Sequence, residues 1–337
     1  MKAVCIEKFG LDGLALVDRP DPLPPKKGEL LVKLKAVSLN FRDLLMIKGL
    51  YNPAQPLPLI PCSDGAGEVI AVGEDVESFK VGDRVVGCFF QNWVAGPYQK
   101  EYGKSVLGGP LDGTLAEYIY LKEQGALLIP SHLSFEEAST LPCAALTAWN
   151  GLFEQAQLQP GQTVVVQGSG GVSLFALQFA RACGAEVIFL SRKDEKIEKA
   201  KKMGAREGIN IAQNRHWSQK IRELTGARGA DVLVNVLGVD LDESIQSLKF
   251  GGMICAIGIL GGFKTEVDVV SILMRQVKIH GIYVGNRSLF IGMNRAIEKL
   301  RIKPLLHEVF PFHAYKEAFS LLESGEHFGK IVIKIVD

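Results

Sequence analysis

QTVVVQGSGGVSLFALQFARACGAEVIFLSRKDEK, Gln162–Lys196, reads as strand, glycine turn, helix and strand in unbroken succession. Thr163–Gln167 is a β-branched run with the length of one buried strand. Gly168-Ser169-Gly170-Gly171-Val172 follows directly. Leu174, Leu177, Phe179 and Ala180 then recur at helical spacing until Gly184 stops the pattern, and Glu186–Leu190 is a second apolar run. This order is the context of a dinucleotide-phosphate cradle. The first glycine allows a tight turn, the second lets backbone approach a pyrophosphate, and the helix N-terminus offers N–H groups and a positive dipole end. Gly168, Gly170, Gly171 and Val172 are the candidate contacts. Where a G-x-G-x-x-G pattern has its third glycine, this chain has Ser173, small enough to keep helix and strand close. The competing reading is a glycine turn in some other α/β unit.

The end of the second strand bears on cofactor choice. A site for NAD usually carries Asp or Glu there, on the ribose 2′-hydroxyl. Ser191-Arg192-Lys193 stands there instead, a hydroxyl, a guanidinium and an ammonium suited to a 2′-phosphate. NADPH is the expected cofactor. The alternative is a solvated basic turn opening the helix that carries Glu195 and Glu198.

A length of 337 residues suggests two domains. With 47% hydrophobic and 22% charged residues, both can bury ordinary cores. A net charge of +1 gives no support for a nucleic-acid partner. No apolar run reaches membrane-spanning length, and the opening MKAVCIEKFG lacks the features of a signal peptide, so no membrane partner is expected. The six cysteines, at 5, 62, 88, 143, 183 and 255, form no C-x-x-C pair. Reduced thiols and a cytoplasmic location are the expectation.

Along the chain, Leu30–Ala36, Gly67–Val72, Arg84–Cys88 and Thr114–Leu121 are strand-like, and Tyr98–Asp112 reads as a polar surface excursion. Ser134-Phe135-Glu136-Glu137 has the form of a capping box. From there to about Gly262 strands alternate with helices, Val232–Val236 and Met253–Ile257 being two more buried strands. This implies a parallel sheet with right-handed crossovers. Arg275–Val284, helices at Arg295–Leu300 and Ala314–Ser324, and a strand at Lys330–Val336 close the chain.

Several motifs then coincide: Asn40-Phe41-Arg42-Asp43, Asp64-Gly65-Ala66-Gly67-Glu68-Val69, Val81-Gly82-Asp83-Arg84-Val85, Leu111–Tyr118, Leu141–Trp149, the GSGGV turn and Phe328-Gly329-Lys330. On these the chain resembles the medium-chain dehydrogenase/reductase superfamily, in its zinc-free quinone oxidoreductase-like and alcohol dehydrogenase-like branch. The resemblance implies an α/β protein: a Rossmann doubly wound parallel sheet, plus a GroES-like β-rich catalytic domain built from both chain ends, with substrate and nicotinamide meeting in the cleft. Boundaries are expected at 1–127 and 128–267 for the catalytic and nucleotide-binding domains. Residues 268–337 are expected to complete a sheet edge and return to the first domain. The resemblance also implies cofactor contacts at Thr147, Leu237, Gly258, Val284, Gly285, Gly329 and Lys330, and a homodimer pairing through the apolar strand Lys278–Val284.

Departures from the family pattern bear on the chemistry. Zinc-dependent relatives hold their metal with Cys, His and Cys, at positions corresponding here to Asn40, Ser63 and Cys143. Asn and Ser are poor zinc ligands, so no metal is expected. Cys62 and Asp64 could in principle assist Cys143, in no familiar spacing. The bland reading of Cys143 is a buried thiol. Without a metal to stabilise an alkoxide, reduction of an activated acceptor, a quinone or an α,β-unsaturated carbonyl, is the expected reaction, its oxyanion met by hydrogen-bond donors. Asn40, Arg42, Asp43 and Tyr51 are the catalytic candidates. Each has a structural alternative: Asn40 and Asp43 as loop-bonding residues, Arg42 as a partner of Asp43 or Asp64, and Tyr51 as a turn anchor. Trp93 and Phe89-Phe90 read as core. The rival functions are a zinc alcohol dehydrogenase and a non-catalytic NADPH-binding protein.

Overall fold

The computed structural model describes residues 1–335, and the chain divides into two compact units. One combines residues 1–146 with the described residues from Asn286 onward; the other is Thr147–Gly285. In chain order the strands are β1 (Lys2–Ile6), β2 (Leu14–Asp18), β3 (Glu29–Ser38), β4 (Asp64–Val72), β5 (Arg84–Gly87), β6 (Tyr118–Lys122) and β7 (Ala126–Leu128) in the first unit. The second unit holds β8 (Thr163–Gln167), β9 (Glu186–Ser191), β10 (Glu207–Asn210), β11 (Ala230–Asn235), β12 (Leu248–Ala256) and β13 (Lys278–Gly281). The strands β14 (Leu306–Pro311) and β15 (Lys330–Lys334) return to the first.

The first unit is a β-rich body drawn from both ends of the chain. Its main sheet runs β14-β15-β3-β4-β5-β7, with β6 on β3, and β1 and β2 form a separate antiparallel pair. In β3, Leu30, Val32 and Leu34 are buried while Lys33 and Lys35 stand on the other face, the two-residue period of a sheet with one side in the core. The core gathers Val4, Ile6, Leu34, Leu44, Phe319 and Ile333, so residues more than three hundred positions apart pack together.

The second unit is a parallel sheet in the order β10-β9-β8-β11-β12-β13. Its central strands TVVVQ and ADVLVN are buried throughout, as expected of parallel strands covered on both faces. The sequence order reverses between β8 and β11, and the carboxyl ends of strands at such a switch point are where open α/β sheets bind ligands.

The expected doubly wound sheet beside a β-rich domain built from both chain ends is thus present. The unit boundaries, however, fall at 146/147 and 285/286 rather than 127/128 and 267/268. Residues 128–146 stay with the first unit because their polar groups are satisfied there: the Ser131 amide and hydroxyl donate to Glu298, and the Cys143 amide donates to Asp64. The strand expected at Thr114–Leu121 begins only at Tyr118, since the amides of Thr114 and Leu115 bond Cys62 and Pro61 instead of a neighbouring strand. Tyr98–Asp112 is not wholly a surface excursion; Ser105–Gly109 turn inward and are buried. The region Arg275–Val284 ends a helix, Val269–Arg275, before the short β13. The helix expected from Arg295 begins at Arg287, capped by the Asn286 side chain, which accepts from the Leu289 amide. Of the expected strand Lys330–Val336, Lys330–Lys334 is observed and Val336 lies outside the described residues. The Ser134–Glu137 capping box forms in both directions.

Candidate cofactor cradle and active site

In the second unit the GSGGV turn joins β8 to the helix Gly171–Ala182. Gly168 has φ +76°, a left-handed conformation open to glycine and strained for other residues. Gly170 is the helix N-cap, and the first-turn amides of Gly171, Val172 and Ser173 have no helical acceptor. Ser173 does more than replace a glycine: its hydroxyl donates to the Gln167 carbonyl at 2.6 Å. At the neighbouring strand end the Asn235 side-chain oxygen accepts from the amides of Leu237 and Gly238. Gly258 packs so closely on Val236 that a Cβ there would collide with its carbonyl. Val284 is buried with φ +54°, strained for a β-branched residue, and its carbonyl accepts from Asn150 at 2.8 Å.

Two buried polar atoms at this switch point have no partner: Gln167 Oε1 on β8 and Asn235 Nδ2 on β11. Buried polar groups are otherwise almost always satisfied. An acceptor and a donor left open beside a glycine turn and a helix N-terminus fit a polar dinucleotide. Sequence reasoning missed both residues, although a polar residue closing an apolar strand run was a visible signal. At the end of β9, Ser191 is buried and its hydroxyl accepts from the Lys193 amide, while the side chains of Arg192 and Lys193 are exposed. Thr147 is buried at the start of this unit.

The first unit holds a second polar cluster, fully within itself. Asn40 precedes the helix Phe41–Ile47, and its amide donates to Asp43 at 2.9 Å. Arg42 donates to Asp43 and to the carbonyls of Leu107, Gly108 and Gly109. It pairs with Asp43 rather than Asp64, one of the two structural alternatives, and its two terminal nitrogens hold a loop while the buried Nε has no hydrogen-bond partner. Tyr51 is 38% exposed, its ring centroid 5.0 Å from the Arg42 guanidinium. Asp64, at the start of β4, accepts from the Ser63 hydroxyl at 2.7 Å and from the Cys143 amide at 3.0 Å. Burial raises its carboxyl to about 6, opposed mainly by the charge of Lys330. Burial likewise holds the Cys143 and Cys62 thiols protonated, far above the ordinary range.

Lys330 was expected among the cofactor contacts. It is 4% exposed, and its ammonium donates to the Leu39 carbonyl at 2.5 Å and to Asn40 Oδ1 at 2.6 Å. Burial pulls its pKa down, with Asp64 the largest opposing charge. Gly329 before it has φ +107°, and a Cβ there would press on the Leu305 carbonyl.

A parallel sheet with an open polar cradle at its switch point, joined in one chain to a β-rich unit holding a buried charge cluster, fits a dinucleotide-binding protein. The family model for the alcohol dehydrogenase GroES-like domain matches residues 26–131, and that for zinc-binding dehydrogenases matches residues 171–299. A zinc-type alcohol dehydrogenase-like protein of Schizosaccharomyces pombe is 45% identical over 98% of this chain and 97% of its own. An acryloyl-coenzyme A reductase of Metallosphaera sedula is 28% identical over 99% of each. A solved NAD-dependent alcohol dehydrogenase superimposes with a TM-score of 0.91 at 33% identity, covering 100% of both chains. The chain belongs to the medium-chain dehydrogenase/reductase superfamily, oxidoreductases that bind a nicotinamide cofactor.

The family descriptions imply zinc, but the donors here do not fit it. Asn40 Oδ1 already accepts from an ammonium and the Ser63 hydroxyl donates to Asp64, which leaves Cys143 as the one strong zinc donor of the three. Among the described residues no group of three or more His, Cys, Asp or Glu side chains could hold a metal ion. No helix is long and apolar enough to cross a membrane.

Proposed function

We propose that this protein is a zinc-independent, NADPH-dependent reductase of quinones or α,β-unsaturated carbonyl compounds. The observation that carries the reading is the state of the positions where zinc-dependent relatives hold their metal: the side chains of Asn40 and Ser63 are engaged in hydrogen bonds within the protein, leaving Cys143 as the one strong donor. NADPH rather than NADH is supported by the exposed Arg192 and Lys193 at the end of β9, with no carboxylate there. The cradle of Gly168, Gly170, Gly171 and Val172, with Gln167 and Asn235 beside it, would hold the cofactor. When bound, the nicotinamide supplies a hydride.

The chain's own part is to bind, orient and stabilise. Asn40 Nδ2 is buried without a hydrogen-bond acceptor, and an enone oxygen that gains negative charge is such an acceptor. The Tyr51 hydroxyl is a second donor. Hydride addition at the β-carbon would shift the C=C pair into a Cα=C enolate bond and the C=O π pair onto oxygen, where these donors would meet it, and a solvent proton at the α-carbon would restore the carbonyl. The likeness to an acryloyl-coenzyme A reductase, named for an unsaturated thioester, supports this substrate class.

A homodimer belongs to the same reading. β13 is an edge strand, and the helix before it exposes Val269, Val270, Leu273 and Met274. A second copy pairing edge to edge would remove both liabilities.

The decisive experiment is NADPH consumption against quinones, enones, aldehydes and ketones in parallel, before and after exhaustive chelation. Turnover of a quinone or enone unaffected by chelation is expected. Activity confined to aldehydes and restored by zinc would refute the reading, and tight NADPH binding with no turnover would favour a binding protein. Light scattering at low micromolar concentration tests the dimer, which a strict monomer contradicts.

A further inference from the structure

Lys330 reaches Asn40 through sheet register rather than chance proximity. Val332 on β15 pairs with Ser38 on β3, and the Leu39 amide continues the ladder to the Ile331 carbonyl. The next step places Lys330 opposite Asn40. Its ammonium meets both the Leu39 carbonyl and Asn40 Oδ1.

This contact decides how the Asn40 amide lies. An ammonium has donors only, so it accepts the oxygen end of the amide and rejects the nitrogen end. The Asn40 NH2 is thereby turned away from Lys330. It lies beside the Asp64 carboxylate, whose charged form it favours, and makes no closer hydrogen bond within the protein. The other groups around the ammonium are Asp43, Cys62 and Cys143, with Arg42 tied to Asp43. The Asp43 amide also approaches the Asn40 side chain in a capping box, and Asp64 lies beside its NH2, but Lys330 supplies the ammonium that selects the oxygen end of the amide.

We propose that Lys330 is a positioning residue. It locks the Asn40 side-chain amide so that the Nδ2 hydrogens point at the oxygen of the acceptor. The assignment rests on the reductase reading and goes beyond it, by moving Lys330 from the cofactor contacts to the orientation of a catalytic donor.

The test is a double-mutant cycle in the full-length protein with saturating NADPH and 2-cyclohexenone or 1,4-benzoquinone as acceptor. Lys330→Met and Asn40→Ala should each lower kcat by about 10²-fold, the scale of a displaced or lost oxyanion donor. The double variant should fall no further than Asn40→Ala alone, while the Kd for NADPH changes by less than about twofold, since no charge-assisted cofactor contact is lost. Additive losses would overturn the proposal. So would a Kd for NADPH that rises tenfold in Lys330→Met with kcat unchanged, the mark of a direct phosphate contact. Should the methionine variant fail to fold, Lys330→Gln, shorter and uncharged, carries the same cycle. If the wild-type protein reduces neither acceptor, the reductase reading fails by itself. Crystal structures then decide the positioning claim: Asn40 rotated in the Lys330 variant supports it, and Asn40 unmoved overturns it.

Discussion

The hydroxyl of Ser173 donates a 2.6 Å hydrogen bond to the carbonyl of Gln167, the last residue of β8. The bond ties the first turn of the helix Gly171–Ala182 to the strand it follows, across the glycine turn. Ser173→Ala should lower the unfolding free energy by about 1–2 kcal/mol, because a buried carbonyl loses a donor. Ser173→Gly restores the glycine of the dinucleotide pattern, yet should be less stable still, since glycine adds about 0.5–1 kcal/mol of backbone entropy cost in a helix. Urea unfolding monitored by circular dichroism measures both; wild-type stability in either variant would show the bond to be inconsequential.

Arg192→Ala should weaken NADPH and spare NADH. A charge-assisted contact contributes about 1.5–3 kcal/mol, so the Kd for NADPH should rise at least about tenfold while that for NADH stays level. Fluorescence titration with both cofactors checks this. A wild-type preference for NADH, or equal losses for the two, would leave Ser191-Arg192-Lys193 as an ordinary solvated turn.

Asp64 makes stability depend on pH in an unusual direction for a carboxylate. Its folded value of about 6 lies above the ordinary 3.8, so between the two the folded chain retains a proton that the unfolded chain has released. Stability contributed by this group is present below about pH 4 and is lost as pH rises through about 6, a span corresponding to about 3 kcal/mol. Asp64→Asn should remove that slope while its side-chain oxygen can still accept from the Cys143 amide and its NH2 can donate to the Ser63 hydroxyl. Chemical denaturation at a series of pH values from 4.5 to 7.5 compares the two proteins; parallel profiles would contradict the assignment.

Cys143→Ser should leave quinone or enone turnover within about threefold of wild type, since a neutral buried thiol acts as a packing group. Its contact with Asp64 is made by the backbone amide, which the substitution keeps. Loss of activity together with loss of bound zinc, read by atomic absorption, would instead make it a ligand.

Tyr51→Phe should lower kcat by up to about 10²-fold if its hydroxyl shares the oxyanion with Asn40. Steady-state kinetics with a single enone suffices. Unchanged turnover would leave Asn40 as the donor and Tyr51 as a ring packed beside Arg42.

What could be read beforehand follows the range of the interactions involved. β8, the GSGGV turn and β9 lie within thirty residues and announce themselves by apolar runs and glycines, so their positions were legible to within a residue. Asn40 and Asp43 were legible as local bonding residues, and the bond between them spans only three residues. The task of Arg42 was not, because the carbonyls it holds belong to residues 107–109, where polar and glycine-rich composition suggested only a surface loop. Lys330 was the least legible of all. Its partner lies 290 residues away, and only the pairing of β15 with β3 brings the two together. Gln167 and Asn235 stood in plain view, but an unsatisfied side chain becomes visible only when every neighbour has been placed.

The lysine on β15 also sets an order of events during synthesis. Thr147–Gly285 is continuous in sequence and has its own buried core, so a ribosome has delivered the whole of it well before the chain is finished. Asn40 is made 290 residues before the lysine whose ammonium contacts it. A message broken or stopped after residue 290 would therefore yield a polypeptide with a complete nucleotide cradle and no oriented donor. Such a product would bind cofactor without an oriented donor, so catalytic competence waits on the strand that closes the first unit.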